Sequence, residues 1–303
     1  ARLVADYCDV ASVAHAEQHH GKQLGYINLL DADAALNVVR EWETAACCIV
    51  KHATPCGVGI GDGVVDAFGH AHASDPLAAF GGVVALNKPI DLATATAMAD
   101  GRKFLEVIVA PSFDDDALAV LTERWKNVRL LSVGDNVRWP EGGTMSHDIV
   151  GGKLVQDRDT VGVIEAEWQV VTKRKPSVEE IGALKFNWLA CKHVKSNAVV
   201  IGGGIATGSG IATGHGTFGI GGGQVDRVAA SMQAVAKAGD RARGAVAASD
   251  AFFPFPDGPK VLLDAGVTAI VQPGGSVRDQ ETIDLCDERG ATLVMTGRRH
   301  FRH

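Results

Sequence analysis

What most constrains this chain is a series of short apolar runs, each of strand length, separated by segments of helical periodicity. Ala45-Ala-Cys-Cys-Ile-Val50 offers no polar position on either face, and Gly82 to Leu86 and Phe104 to Ala110 are similar short runs. Strands apolar on both faces must be covered on both, and crossover helices do the covering. The pattern predicts an α/β fold with a largely parallel sheet between helices. No run approaches the length that spans a membrane.

The alternation pauses once. Leu130 to Val133 closes a first half, and Asp135 to Asp148, with Pro140, Gly142 and Gly143, reads as a linker. Strand signals resume at Leu154-Val-Gln156 and at Trp168 to Val171. The expected organisation is two α/β halves, residues 1–140 and 141–303. In the first, Asp31 is placed to cap a helix whose apolar face is Ala35, Val38, Val39 and Trp42. In the second, Ser177 and Glu180 form a capping box before Ile181, Leu184, Trp188 and Cys191. Ala198 to Ile201 reads as a buried strand. Gln224 to Ala238 has helical spacing and Gly239 as its terminator. Strands at Thr268 to Val271 and Ala291 to Met295 flank a helix begun by Ser276 and Asp279.

The charge balance, 29 Lys plus Arg against 36 Asp plus Glu, gives a formal −7. That excludes the broad basic footprint of a non-specific nucleic-acid binder, so an anionic ligand needs a local cluster of donors. Six Cys include no C-x-x-C pair, and no basic segment followed by an apolar one opens the chain. These features predict a cytoplasmic protein with reduced thiols and no membrane partner. Ala1 in place of Met indicates that an upstream piece was removed or left out.

Several constellations carry chemistry. Lys51-His-Ala-Thr-Pro-Cys-Gly57 ends an apolar strand in a cation and an imidazole, with Pro and Gly to turn the chain. Strand ends are where α/β sheets hold ligands. His52 takes a proton at neutral pH, and Lys51 keeps it unprotonated beforehand. The alternative is a surface pair at a strand end. Asp75, in Ser74-Asp-Pro, is a turn initiator or an acceptor for a sugar hydroxyl or amine. Lys192-His-Val-Lys-Ser-Asn197 gathers cations and donors suited to a phosphate or amide, or is a solvated helix end. Gly219-Ile-Gly-Gly-Gly-Gln224 runs into a helix and reads as an anion-binding turn. Gly214-His-Gly-Thr-Phe-Gly219 matches G-x-G-x-x-G, but no helix begins at its glycines and no acidic strand end follows. Ser249-Asp-Ala-Phe-Phe-Pro-Phe-Pro-Asp257 is either a wall for a planar ligand or a plug over a sheet edge. Gln272-Pro-Gly-Gly-Ser276 and the basic end Arg298-Arg-His-Phe-Arg-His303 complete the set.

In this order, and with Asp31-Ala-Asp-Ala-Ala-Leu36, Phe80-Gly-Gly82, Leu154-Val-Gln-Asp-Arg-Asp159 and Val171-Thr-Lys-Arg174, the motifs resemble a known family. It is the formyltransferase domain of the bifunctional purine-biosynthesis enzymes. That domain is the 5-aminoimidazole-4-carboxamide ribonucleotide (AICAR) transformylase, fused in many organisms to inosine monophosphate cyclohydrolase. The resemblance spans about Gly21 to His303. It implies a cytidine-deaminase-like three-layer α/β/α fold present twice, and a homodimer with shared active sites. It implies formyl transfer from 10-formyltetrahydrofolate to the amino group of AICAR. His52 would be the general base, Lys51 the stabiliser of the oxyanion and leaving group, and Asn197 the neighbour of the formyl group. Asp75, Phe252, Arg299 and Gln224 would meet the nucleotide. Phe253, Pro254, Phe255 and Asp257 would meet the folate.

Zinc deaminases need H-x-E and P-C-x-x-C. Here Ala53 and Thr54 follow His52, and Gly57, Val58 and Gly59 follow Cys56, so no catalytic zinc is expected. The family's Arg-Tyr-Gly-x-Asn-Pro-His-Gln segment is missing from Ala1 to His20. Either the nucleotide site lacks those contacts or the segment lies outside this chain. A chain of 303 residues has no room for the cyclohydrolase, so no ring closure by this polypeptide is expected, with a separate cyclohydrolase one candidate partner and the seat of that activity left open. Two other readings stand beside this one. One is a non-catalytic purine-nucleotide or folate-binding relative. The other, resting only on Gly202 to Gly223, is a dinucleotide-dependent oxidoreductase.

Overall fold

The computed structural model describes residues 9–206 and 212–303. Its first half contains β1 (Glu17–His20), α1 (Tyr26–Val39), β2 (Ala45–Lys51), β3 (Thr54–Gly61), α2 (Val64–Ser74), α3 (Pro76–Ala79), β4 (Gly82–Leu86), α4 (Leu92–Ala99), β5 (Leu105–Ala110), α5 (Asp115–Arg124) and β6 (Arg129–Ser132). A hairpin follows, β7 (Thr144–Ile149) and β8 (Gly152–Asp157), and then β9 (Gln169–Val170). The second half runs α6 (Val178–Lys192), β10 (Val199–Ala206), β11 (Ala212–Gly221), α7 (Arg227–Ala238), β12 (Val246–Ser249), α8 (Asp257–Asp264), β13 (Ala269–Gln272), α9 (Asp279–Glu288) and β14 (Thr292–Met295).

One 12-stranded sheet runs through the molecule in the order β1-β6-β5-β4-β2-β3-β11-β10-β12-β13-β14-β9. Read outward from the β3–β11 seam, the two sides repeat the same order of elements. The sheet is mixed, which corrects the expectation of a largely parallel one. Parallel pairing is confined to β4-β5-β6 and β12-β13-β14. The centre, from β4 through β2, β3, β11 and β10 to β12, is antiparallel throughout. A strand buried on both faces has the same apolar run whichever way its neighbour points.

Helices cover both faces, so the fold is a three-layer α/β/α sandwich. In β2, Ala46, Cys48 and Val50 face one core, and Ala45, Cys47 and Ile49 face another. The first core is continuous across the seam and is roofed by α1 and α6. The opposite face is split between a core under α2, α4 and α5 and one under α7, α8 and α9. Close approach on that face depends on glycine. A Cβ at Gly57 would sit 2.0 Å from the Ala71 carbonyl oxygen of α2. At Gly219 and Gly221 it would sit 2.0 Å from the Ala234 and Ala230 oxygens of α7. Gly219 and Gly221 therefore serve packing, whereas the sequence pattern pointed to an anion-binding turn. The cap of α7 is Asp226, which accepts from the Ala229 N–H at 2.7 Å.

Other expectations also change. Helix α1 starts under Gly25, so Asp31 lies inside it and not at its cap. Pro55 and Gly57 belong to β3 and turn nothing. Leu154 to Gln156 lies in the exposed β7–β8 ribbon, which forms a sheet of its own. The Ser177–Glu180 capping box is present as read. Cys47, Cys48, Cys56, Cys191 and Cys286 are free thiols. Cys8 lies outside the described residues. No helix among the described residues is long and apolar enough to cross a membrane.

Candidate active site

Strands β2 and β3 are joined by two residues, His52 and Ala53, with Lys51 paired to Thr54 across the turn. Both turn residues have φ of 57°. That is the type I′ arrangement, which suits the twist of a hairpin and ordinarily selects Asn-Gly. A side chain in the left-handed region costs roughly 1 kcal/mol per residue. The turn is held from outside. Asp31 on α1 accepts from the His52 N–H at 3.2 Å through Oδ2 and from the Ala53 N–H at 2.7 Å through Oδ1. The His52 ring is exposed and makes no hydrogen bond among the described residues. Beside it, Lys51 Nζ donates to the Phe80 carbonyl at 2.9 Å, and no carboxylate among the described residues pairs with it. This is a free imidazole next to an uncompensated cation at a sheet end. Burial pushes the thiol of nearby Cys56 up to about 12, which leaves it protonated and inert.

The register brings the second half's candidates to the same end. Gly59 pairs with Gly216 across the seam, and Thr54 and Gly221 lie equally far along their antiparallel strands from that pair. Gly221 in turn pairs with Val199, and Val199 with Ser249. Asn197 before β10, Gln224 after β11 and Phe252 after β12 thus share the edge of the Lys51-His52 turn. The C-terminal segment crosses it too: the His300 N–H donates to the Asp250 carbonyl and the Ser196 N–H to the Arg302 carbonyl. Asn197 Nδ2 donates to the Gln224 carbonyl at 2.9 Å, leaving Oδ1 without a partner among the described residues. Gln224 Nε2 donates to the Gly222 carbonyl and to Gln233 Oε1.

A groove of about 390 Å³ opens beside Phe80, walled by Leu77, Phe80 and Phe104 and rimmed by His72, Arg102 and Lys103. An apolar slot with a cationic rim suits a planar anion.

Under this edge lies a buried ionic cluster. Glu41 Oε1 accepts from Lys192 Nζ at 2.9 Å, His193 Nε2 at 2.8 Å and Trp139 Nε1 at 3.1 Å. Glu41 and Lys192 side chains are each 3% exposed. Burial pushes the Glu41 carboxyl up, but the hydrogen bond and charge of His193, with Lys192, outweigh it and hold it below its ordinary value. Burial pushes His193 down against the pull of the Glu41 hydrogen bond and charge, and its Nε2–H donates to the carboxylate. Lys192 and His193 are consumed here, and only Lys195 of the three basic residues in that motif is exposed. The expected phosphate cluster is instead the clamp that fixes the end of α6, five residues before Asn197.

The AICARFT/IMPCHase bienzyme model matches residues 1–237. The bifunctional purine biosynthesis protein PurH of Halalkalibacterium halodurans is 47% identical over 293 residues, 97% of this chain and 55% of its own length. PurH of Streptococcus gordonii is 46% identical over 303 residues, 99% of this chain and 56% of its own. PurH of Streptococcus pneumoniae is 45% identical over the same span. This chain belongs to the AICARFT/IMPCHase family. It spans just over half the length of these curated relatives.

The other residues that family resemblance singled out are scattered more widely. Asp75 caps α3 by accepting from the Ala78 N–H at 3.0 Å and pairs with Lys237 of α7 at 2.7 Å. Burial pushes its carboxyl up, but the Lys237 hydrogen bond and the backbone amides outweigh that and hold it low. Phe253, expected on the folate, is 1% exposed and packs in the core beneath α7 and α8. Its N–H donates to Gln272 Oε1, so this residue roots the loop and does not face a ligand. Pro254 and Phe255 stand out from the loop, with the Arg278 guanidinium 4.8 Å over the Phe255 ring. Asp257 opens α8 beside a hollow walled by Glu281, Asp284 and Glu288. Arg299 is exposed and lies over Phe301 at 5.1 Å. Asp31, Glu41 and the Phe80–Phe104 groove went unremarked as site elements in the sequence, because an isolated Asp or Glu within or after an apolar helix gives no spacing signal.

Proposed function

We propose that this chain transfers the formyl group of 10-formyltetrahydrofolate to the 5-amino group of AICAR. The observation that carries the proposal is the Lys51-His52 turn, whose imidazole has no hydrogen bond and whose ammonium has no carboxylate partner among the described residues, on the same sheet end as Asn197. The AICAR amine is a weak nucleophile, since its lone pair is delocalised into a ring bearing a carboxamide. Its nitrogen attacks the formyl carbon while His52 takes its proton. Lys51 stabilises the charge that develops on the formyl oxygen and helps the folate nitrogen leave, with Asn197 beside the formyl group. The bond from that carbon to the folate nitrogen then breaks. The nitrogen leaves with a proton, so one N–H is exchanged for another and the atoms balance. The carboxamide of the substrate assists His52.

Asp75, Phe252, Gln224 and Arg299 are assigned to the nucleotide, and Pro254, Phe255 and Asp257 to the folate. Phe253 supports that loop from the core. The groove beside Phe80 supports the same reading, since it offers aromatic walls next to Lys51. We further propose residues 1–140 and 141–303 as the two units and a cytoplasmic homodimer with shared active sites.

The test is tetrahydrofolate release from the purified chain with AICAR and 10-formyltetrahydrofolate, beside His52→Ala. Turnover in the wild type that is lost in the variant, with AICAR binding kept, supports the assignment. Equal loss of affinity and turnover makes His52 a positioning group. No wild-type turnover with AICAR still bound leaves the non-catalytic binder as the better reading.

A further inference from the structure

We propose that Asp31 is a positioning residue for the transfer reaction. It holds the His52-Ala53 turn in its left-handed form and thereby fixes the direction of the His52 imidazole; the proposal rests on the transfer reading above. Two adjacent residues with side chains occupy φ of 57°, a region favoured by glycine. The β2–β3 ladder does not use their N–H groups, since the Lys51–Thr54 pair closes the hairpin. Both N–H groups point to one carboxylate, one oxygen each, at 3.2 and 2.7 Å. Asp31 is 6% exposed and has no ion pair among the described residues. Its helix is fixed to the sheet by Ala32, Ala35 and Leu36, all fully buried. A rigid helix in the continuous core thus grips a turn whose residues would not choose that conformation unaided. Asp31 touches no reacting atom in this scheme. Its work is to remove alternative directions for the base, since small misplacements of a reacting group cost on the order of 10²-fold in rate.

The experiment compares wild type, Asp31→Asn, Ala53→Gly and the double variant in the tetrahydrofolate-release assay. Asp31→Asn places an amide donor against one of the two N–H groups. It is expected to lower kcat by on the order of 10²-fold, with KM for both substrates within about threefold. Glycine accepts the left-handed conformation without help. Ala53→Gly in the Asp31→Asn background is therefore expected to restore at least tenfold of the lost kcat, by the rough scale of such misplacement effects. Hydrogen exchange at the His52 and Ala53 amides, slow in the wild type and fast in Asp31→Asn, reads the grip directly. A second arm is Ala53→Val, which opposes the left-handed form while leaving Asp31 in place, and it is expected to lower kcat as well. Asp31→Asn or Ala53→Val with wild-type kcat overturns the proposal, as does a double variant no faster than Asp31→Asn. A wild-type chain without turnover overturns the transfer reading itself, and Asp31's part in it falls too.

Discussion

Glu41→Gln isolates what the buried cluster contributes. The substitution keeps one carbonyl oxygen for the Trp139, His193 and Lys192 donors and removes only the charge. The Lys192 ammonium, whose side chain is 3% exposed, then meets a neutral amide oxygen and the Val161 carbonyl at 3.0 Å, with no carboxylate among the described residues in hydrogen-bond contact. Breaking a buried ion pair from one side costs about 3–5 kcal/mol, because the other charge stays desolvated. The retained hydrogen bonds put this case at the lower end, about 3 kcal/mol, or a fall in Tm on the order of 6 °C for a chain this large. Urea titration followed by tryptophan fluorescence reads the loss as a shift of midpoint. The double variant Glu41→Gln/Lys192→Met should recover to within about 1 kcal/mol of the wild type, since an apolar side chain of similar length replaces the stranded cation. A loss below about 1 kcal/mol in the single variant, or simple additivity in the double, would refute the view that a desolvated charge is being compensated.

The same cluster sets a pH dependence. His193 and Glu41 are held below their ordinary 6.5 and 4.5, so the unfolded chain binds more protons than the folded one. The stability they contribute is complete above pH 6.5. It falls first as pH drops through the His193 window below that value, then as Glu41 protonates below 4.5, and urea midpoints measured across this range should trace both steps. Gly57→Ala should abolish accumulation of folded protein, whereas Gly69→Ala, in mid-helix with nothing within 4 Å, should raise stability by about 0.5–1 kcal/mol in the same titration. Phe253→Ala should cost about 3–5 kcal/mol and Phe255→Ala, 47% exposed, less than about 0.5. The reverse order would put Phe253 outside the core.

Much of this architecture is legible in the residues, and the gaps have physical reasons. Strands β2, β4 and β10 announce themselves because two-sided burial leaves no polar residue in their interiors, and β5, β13 and β14 carry a single one each, Glu106, Gln272 and Thr292. The orientation of their neighbours does not, and so the antiparallel centre was hidden. Gly57, Gly59 and Gly61 resemble turn residues in a one-dimensional string. In three dimensions each faces α2 at a distance that admits no side chain. Lys51 and His52 were readable as a site because a cation and an imidazole at the end of a buried strand have few structural uses. Lys192 and His193 looked equally functional, and only the position of Glu41, some 150 residues earlier, reveals that both spend their donors on its carboxylate. Asp31 shows the converse: a capping residue by pattern, it spends its carboxylate on a turn 21 residues later.

The seam has a consequence for how the chain could be divided. The stretch that joins its two sides in sequence carries a ribbon, β7–β8, exposed to solvent along its whole length. A break there leaves each fragment with its six neighbouring strands, but with a bare edge where β3 or β11 had been and half of the shared core open. Each bare edge has one fully matched partner, the other fragment. Produced together the fragments should reassemble, and produced singly they should stick to copies of themselves. The molecule is in effect a split reporter whose two parts happen to be joined by a tether.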